Sequence, residues 1–400
     1  MQKKDYRLAL FPLFYILYEF AGNMSTDMYL PALLEISKEF NETFDSLQET
    51  ITGWLLGLTL AQLIFGPLTQ KYGRKPVFFI GGLIFFVATI GCSLSANLWQ
   101  LLLARVLQGF SVGSIMIAGY ASIHSLYDDY KATLILTWTS SAAIASPMIG
   151  PLVGSFILLV GDWRLVFWVI AIWGLGAFIL ASLLMPESLQ KEDRHPLHLA
   201  AVYRSYRKTI CSRGFFTRCL AFGLQDGGMV LWISASPKII MNFYKYSPLA
   251  FGYLQIIVFA GFILGARLIR FFLKVLSRAH LVYVGMAISS IGALVMLALS
   301  FWAKTGLYSF LVAMSVYALG VGISSAPLTK ETFIASPSKE GYTTASYFLL
   351  ATLIGTLVSF VIAILPDTAI ELSLLLCFSI FTALLLYWKR DPSSDSLSAS

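Results

Sequence analysis

The chain of 400 residues is predicted to be an all-α polytopic membrane protein, with twelve transmembrane helices in two six-helix halves. Three observations predict it. Hydrophobic residues make up 58% and charged residues 12%, where a soluble domain carries about 25% charged. Apolar runs of about 20 residues, the length that crosses a bilayer, recur along the whole chain. The longest internal polar stretch, 186–213 (PESLQKEDRHPLHLAAVYRSYRKTICSR), falls between the sixth and seventh of these runs.

In chain order the spans are expected at 7–31, 50–70, 76–96, 98–122, 132–160, 163–185, 215–241, 249–272, 279–301, 306–328, 342–365 and 367–388. They are too long and too continuously apolar for barrel strands, which leaves helices as the structure that satisfies its backbone in lipid. The first span follows Lys3, Lys4 and Arg7 but has no small-residue cleavage site, so it is read as retained rather than as a signal peptide. The expected organisation is an N-terminal bundle over 1–185, a cytoplasmic linker over 186–213, a C-terminal bundle over 214–389 and a polar cytoplasmic tail over 390–400. Within the linker, Arg204, Arg207 and Lys208 interleave with Leu199, Val202, Tyr203 and Tyr206. That pattern suits a helix lying on an anionic leaflet. A weak internal repeat supports two related halves: at one constant offset Gly53 meets Gly252, Trp54 meets Tyr253, Gly66 meets Gly265, Lys71 meets Arg270 and Lys75 meets Lys274.

The net charge of +7 is a topology signal and not a nucleic-acid footprint. The loops on the side opposite the termini hold only Lys38, Arg164, Lys238, Lys245 and Lys304 among the basic residues, and the first of them is acidic (Glu35, Glu39, Glu42, Asp45, Glu49). Basic residues favour the cytoplasmic side, so both termini are expected there. The expected partners are the lipid bilayer, a small-molecule substrate and protons, with no nucleic acid, and the chain is expected to act as a monomer. Cys92, Cys211, Cys219 and Cys377 form no CxxC pair and read as small hydrophobes. His124, His195, His198 and His280 are scattered, so neither a metal site nor an intramembrane enzyme is expected. No Gly-rich phosphate loop occurs, so ATP as direct fuel has no support and no cofactor is expected.

Glu19 and Asp27 stand in the first span. Ionised groups at the bilayer centre cost about 2.5–3.5 kcal/mol on insertion scales, and those that occur mark ion and proton routes. Eight residues apart on a helix, the two acids lie about 12 Å apart along the axis and about 80° apart around it, so both can line one side of a cavity. Arg105 in the fourth span lies at a depth like that of Asp27; it can lie close to that acid, or hold a backbone carbonyl or water beside it. A third acid, Asp226, lies midway along the seventh span, eleven residues before Pro237, much as Glu19 lies twelve before Pro31. These four are the candidate proton-coupling residues. Glu19, Asp27, Tyr18, Asn23, Trp138, Phe222, Trp232, Gln255 and Phe348 are the candidate substrate contacts, aromatic faces and carboxylates being what a lipophilic cation prefers. Gly150, Pro151 and Gly154 in the fifth span favour a kinked, closely packed helix.

Four motifs resemble those of one family. "GPLTQKYGRKPV" (66–77) is similar to the loop between spans two and three of the major facilitator superfamily, and "LLARVLQG" (102–109) to its span-four motif. "GPLVGS" (150–155) resembles the span-five motif of its antiporters, and "STDMYLPAL" (25–33), with "LYEF" (17–20), the first span of its twelve-helix drug/proton antiporters. The resemblance runs along essentially all twelve spans. It implies proton-coupled efflux of small lipophilic, often cationic drugs by alternating access, in a bacterial inner membrane. It also gives Glu19, Asp27 and Arg105 roles in proton coupling and substrate recognition, and Gly66, Gln70, Gly73, Arg74, Lys75, Gly150, Pro151 and Gly154 roles in gating. Three features depart from the pattern: Gln70 stands where an acid is usual, Ser155 where a glycine is usual, and Asp226 is not expected. A dedicated carrier of one metabolite (siderophore, sugar or peptide) is the alternative, ahead of a channel or an enzyme.

Overall fold

A computed structural model describes residues 6–194, 199–301, 306–337, 340–364 and 369–389. His195, His198 and the tail from 390 onwards lie outside them. The described residues form fourteen α-helices, and the twelve long ones are α1 (Tyr6–Asp27), α3 (Phe44–Tyr72), α4 (Arg74–Leu94), α5 (Leu98–Leu126), α6 (Asp129–Ile157), α7 (Trp163–Leu184), α9 (Arg213–Pro237), α10 (Pro248–Phe272), α11 (Arg278–Ser300), α12 (Leu307–Ile334), α13 (Glu340–Ile364) and α14 (Ala369–Trp388). Short helices α2 (Leu33–Phe40) and α8 (Leu199–Ile210) follow the first and sixth of them. Ten of the twelve are long and apolar enough to cross a membrane by composition alone. The other two, α1 and α9, are the ones that carry Glu19, Asp27 and Asp226.

The chain divides into two compact units, Met1–Leu199 and Ala200–Ser400. In the first, α5 packs on α3 and α4, while α1 packs on α5, α6 and α7. In the second, α12 packs on α10 and α11, while α9 packs on α12, α13 and α14. Helix for helix this is one pattern used twice, and it gives the weak sequence repeat a physical basis. The closest approaches are made through glycine. A Cβ on Gly57 would overlap the Val106 carbonyl, and one on Gly109 the Trp54 carbonyl, so α3 and α5 interlock backbone to backbone. Gly265 against Leu319 O and Gly322 against Phe262 O do the same for α10 and α12. Small residues let helices meet in lipid, where apolar side chains gain little by leaving the solvent.

Six of the twelve long helices start on a local cap. The side chains of Thr43, Asn97, Asp128, Asp162, Ser247 and Ser277 accept the first free amides of α3, α5, α6, α7, α10 and α11. One expectation needs correction at a helix end. The first span does not run on to Pro31: α1 ends at Asp27, and Pro31 sits inside a 3₁₀ turn (Leu30–Ala32) that leads into α2. Backbone there stays in the right-handed helical region (Tyr29 φ −89°, Ala32 φ −84°), so the chain tightens rather than stops. Past Pro237, α9 continues as a π-helical stretch, Lys238–Phe243. In the linker, Tyr206 is buried edge-on against Tyr342 of α13 (5.9 Å), while Tyr203, Arg204, Arg207 and Lys208 are exposed. The side chains of Leu199 and Val202 lie outside the described residues. Cys211, in the turn after α8, is exposed, whereas the other three cysteines are buried.

Outside the spans, Glu39 of α2 accepts from Arg164 (2.9 Å) and from the Trp163 indole (2.6 Å), and its other oxygen pairs with Arg164 at 2.7 Å. Those hydrogen bonds, Arg164 first, hold the Glu39 carboxyl below its ordinary range. A lowered carboxylate contributes stability above its ordinary pKa and loses it as pH falls through the lowered one. Exposure limits the pair to about 0.2–1 kcal/mol. Glu39→Gln is expected to lower the melting temperature slightly at pH 7, with the gap to wild type closing in acid, where both carry a neutral group. Gly57→Ala or Gly109→Ala should cost about 1–3 kcal/mol by overpacking. Gly176→Ala, with nothing within 4 Å of the new methyl, should be neutral or stabilising; melting of the purified variants checks all three.

Candidate functional site

The last turn of α1 carries the site in the first unit. A helix ends with carbonyls that have no partner within it. Here the partner is a cation from another helix: Arg105 of α5, 0% exposed, donates from Nη1 to Ser25 O at 2.8 Å and to its own neighbour Gln108 Oε1 at 2.5 Å. Its Nη2 reaches Thr26 Oγ1 (3.2 Å), and its guanidinium lies over the Tyr29 ring at 4.3 Å. Gln108 is held in turn by Thr89 of α4 (2.9 Å), and Tyr29 by Thr50 of α3 (2.9 Å). Asp27, 4% exposed, is the next residue along this turn. Its carboxylate makes no ion-pair contact with Arg105 among the described residues, although the charge of Arg105 acts on it. Instead Asp27 Oδ2 accepts from Ser146 Oγ of α6 at 2.6 Å. Of the two arrangements open to Arg105 on sequence grounds, the backbone-holding one is observed.

Gly150 and Gly154 set the approach of α6. A Cβ on Gly150 would press on the Asp27 side chain, and one on Gly154 would overlap the Met28 carbonyl. The antiporter-like glycines therefore bring Ser146, one turn earlier, within reach of Asp27. Pro151 and Ser155 are buried on the same helix.

Two turns back along α1, Glu19 is 4% exposed and its Oε2 has no hydrogen-bond partner among the described residues. It acts electrostatically on Tyr15 and on Tyr120 of α5. Asn23 lies between the acids and donates to Glu19 O (3.0 Å), its own helix backbone. Tyr18 is fully buried among Phe78, Phe85 and Phe178, with ring centroids 5.6–5.8 Å away. Its ring is committed to packing. Trp138, by contrast, is 63% exposed.

In the second unit, Trp232 is fully buried and donates to Gln255 Oε1 (2.8 Å), whose amide donates to Ser236 (2.8 Å). Both side chains are thus spoken for inside the bundle. Phe222 and Phe348 flank Tyr347 at 5.1 and 5.6 Å. Asp226 is half-buried on α9. Residues that sequence reasoning passed over are Ser146, Gln108, Thr89, Tyr29 and Glu187. Gln108, three residues after Arg105 on a helix, is the one whose spacing could have announced it.

Glu187 completes the hallmark-like loop. Helix α4 has no side-chain cap of its own, because its cap position is Gly73, held at φ +95°. A carboxylate from 113 residues away fills the role: Glu187 Oε1 accepts from Arg74 N (3.0 Å) and Oε2 from Lys75 N (3.3 Å), and Arg194 lies 3.7 Å from it. A Cβ at residue 73 would come within 2.5 Å of Glu187, so glycine is required twice over. Arg74 points the other way, onto Ala121 O (2.6 Å), Ser188 (3.1 Å) and Ser125 at the end of α5. The loop thereby ties the start of α4 to the ends of α5 and α7. Gln70 is exposed, and Gly66 is half-buried within α3. An anion at a helix N-terminus stabilises by about 0.3–1 kcal/mol, more when partly buried. Glu187→Ala is therefore expected to lower the melting temperature, whereas Gln70→Ala leaves it unchanged.

The comparisons with known proteins agree with this architecture. A sequence model of the Major Facilitator Superfamily matches residues 16–359. The chain is 28% identical over 353 residues to the multidrug transporter MdfA of Yersinia pestis bv. Antiqua (strain Angola), covering 88% of this chain and 86% of that protein. It is 27% identical over 343 residues to the multidrug resistance protein MdtM of Escherichia coli (strain K12), covering 84% and 82%. Among solved structures, a D-xylose-proton symporter superposes with a TM-score of 0.77 at 16% identity, covering 96% of this chain and 98% of that one; this likeness shows the fold. The chain is a multi-pass membrane protein that belongs to the Major Facilitator Superfamily of transporters, and it is not an enzyme.

Proposed function

We propose that this transporter expels small lipophilic, often cationic compounds in exchange for protons. The observation that carries the reading is the pair of buried carboxylates on one helix, Glu19 and Asp27, with Glu19 lacking a hydrogen-bond partner on Oε2. A buried carboxylate without full compensation is stable either with a proton or with a cationic ligand. The names of the relatives, multidrug transporters of two bacteria, point the same way.

In this reading substrate and proton compete for overlapping states of the two carboxylates. Arg105 holds a fixed positive charge beside Asp27, so each loss or gain of a proton there changes the local balance by a full charge. Protons arriving from outside release the substrate and permit return of the empty carrier. Moving one charge through 100 mV supplies about 2.3 kcal/mol. The helix contacts made by Gly150, Pro151 and Gly154 and the loop of Gly66, Gln70, Gly73, Arg74 and Lys75 serve gating. The chain works as a monomer in a bacterial inner membrane, with both termini in the cytoplasm.

Purified protein in liposomes with an imposed pH gradient tests this. Wild type is expected to drive gradient-dependent ethidium uptake, and Glu19→Gln and Asp27→Asn each to reduce it by at least about tenfold, the equivalent of about 1.4 kcal/mol. Transport indifferent to both substitutions would make the acids structural. Absence of transport of any tested drug by folded wild type would shift the assignment to a carrier of one metabolite.

A further inference from the structure

The start of α4 opens onto a cavity of about 740 Å³ that lies within the first unit, apart from the site of Glu19 and Asp27. Pro76 and Phe79 of α4 line one side, and the segment after α7 lines the other through Leu189, Gln190 and Arg194. Helix α4 has 21 residues, which span about 32 Å, close to the thickness of the hydrocarbon core. Its first turn, with the cavity beside it, therefore stands at the level of the lipid headgroups.

The charges around the cavity are unevenly satisfied. Glu187 is fully engaged: it accepts from Arg74 N, Lys75 N and Leu189 N and lies beside Arg194. The ammonium groups of Lys75 and Lys191, which also line the cavity, make no hydrogen bond and no ion pair among the described residues. Nε of Arg194, shut off from solvent, has no acceptor among them either. Of the residues lining the cavity, the remaining acid is Glu192, which is exposed. Two unpaired cations and an unsatisfied guanidinium N–H face one acid, and the imbalance calls for an anion.

The apolar side of the cavity says which kind of anion. From Pro76 the same face of α4 runs on through Ile80, Leu83 and Val87, at the spacing of three and four residues that keeps side chains on one side of a helix. All are exposed, Val87 by 66%. The Phe79 ring, 5.4 Å from that of Phe178 of α7, borders this stripe where it meets the cavity. A soluble anion would use the lysines and leave the stripe idle. An amphiphile with a phosphate head and an acyl chain uses both, and basic pockets at the ends of spanning helices suit anionic headgroups.

We propose that the cavity holds one anionic phospholipid, with its phosphate against the ammonium groups of Lys75 and Lys191 and one acyl chain along Pro76, Ile80, Leu83 and Val87. The lipid supplies the anion missing from the surroundings of the α4 cap. The site goes beyond the export function proposed above and requires no particular substrate.

Native mass spectrometry of the purified full chain in detergent tests the site, with dioleoylphosphatidylglycerol as the anionic probe and dioleoylphosphatidylethanolamine as the zwitterionic one. Wild type should hold one phosphatidylglycerol at least about tenfold more tightly than phosphatidylethanolamine. Replacing both lysines, Lys75→Gln with Lys191→Gln, should remove that preference, whereas Lys75→Arg with Lys191→Arg should keep it. Lys191→Glu, at an exposed position, should weaken the preference as well and serves if the double glutamine variant fails to fold. Glycerol 1-phosphate, which offers the head without the chains, should not displace the lipid at equal concentration. Equal retention of the two lipids by wild type, an unchanged preference in the double glutamine variant, or displacement by glycerol 1-phosphate would overturn the proposal.

Discussion

Arg105 brings a permanent positive charge into the N-terminal unit, and the end of α1 is arranged around it. Its guanidinium takes up a helix-terminal carbonyl, a threonine hydroxyl, a glutamine and an aromatic face at once. A buried charge is tolerable only when its hydrogen-bonding capacity is well used. The consequence for Asp27 follows directly. With the guanidinium occupied by the Ser25 carbonyl and the Thr26 hydroxyl, the carboxylate stays near the positive charge without an ion-pair contact to it among the described residues. A single hydroxyl, that of Ser146, holds it. The acid is thus influenced by a cation that does not pair with it directly among the described residues.

The same economy appears at the hallmark-like loop. Where an acid is usual in the loop itself, this chain has Gln70, and an anion for the start of α4 comes from Glu187 beyond α7. The helix N-terminus needs negative charge and amide acceptors whatever their origin in sequence. Taking them from a distant segment ties the start of α4 to the ends of α5 and α7.

Repetition organises both units. Each uses its fourth long helix as the post on which the second and third pack, with glycine against carbonyl at the crossings. The interior charge is repeated only in part: at the offset that aligns Gly53 with Gly252, Asp27 meets Asp226 but Glu19 meets Arg218. The N-terminal unit has two acids and an arginine on α1 and α5. In the C-terminal unit, α9 carries one acid, Asp226, that makes no ion pair among the described residues, and its Arg218 sits beside Glu331 of α12.

Much of this was legible in the chain itself. Hydrophobic run length and charge distribution determined the class, the twelve long helices and the division after the sixth, because the bilayer constrains every spanning segment in the same way. The rare intramembrane charges marked Glu19, Asp27, Arg105 and Asp226, since each carries a cost that composition makes visible. Side-chain roles were not legible to the same degree. An aromatic residue in a span reads alike whether it packs, as Tyr18 does against three phenylalanines, or stands exposed, as Trp138 does. The partners of Arg105 on α1, the hydroxyl that holds Asp27 and the carboxylate that caps α4 come from 79 to 119 residues away. Only tertiary structure decides such contacts, because hydrogen bonds depend on ångström distances that helix crossings set and no local spacing encodes.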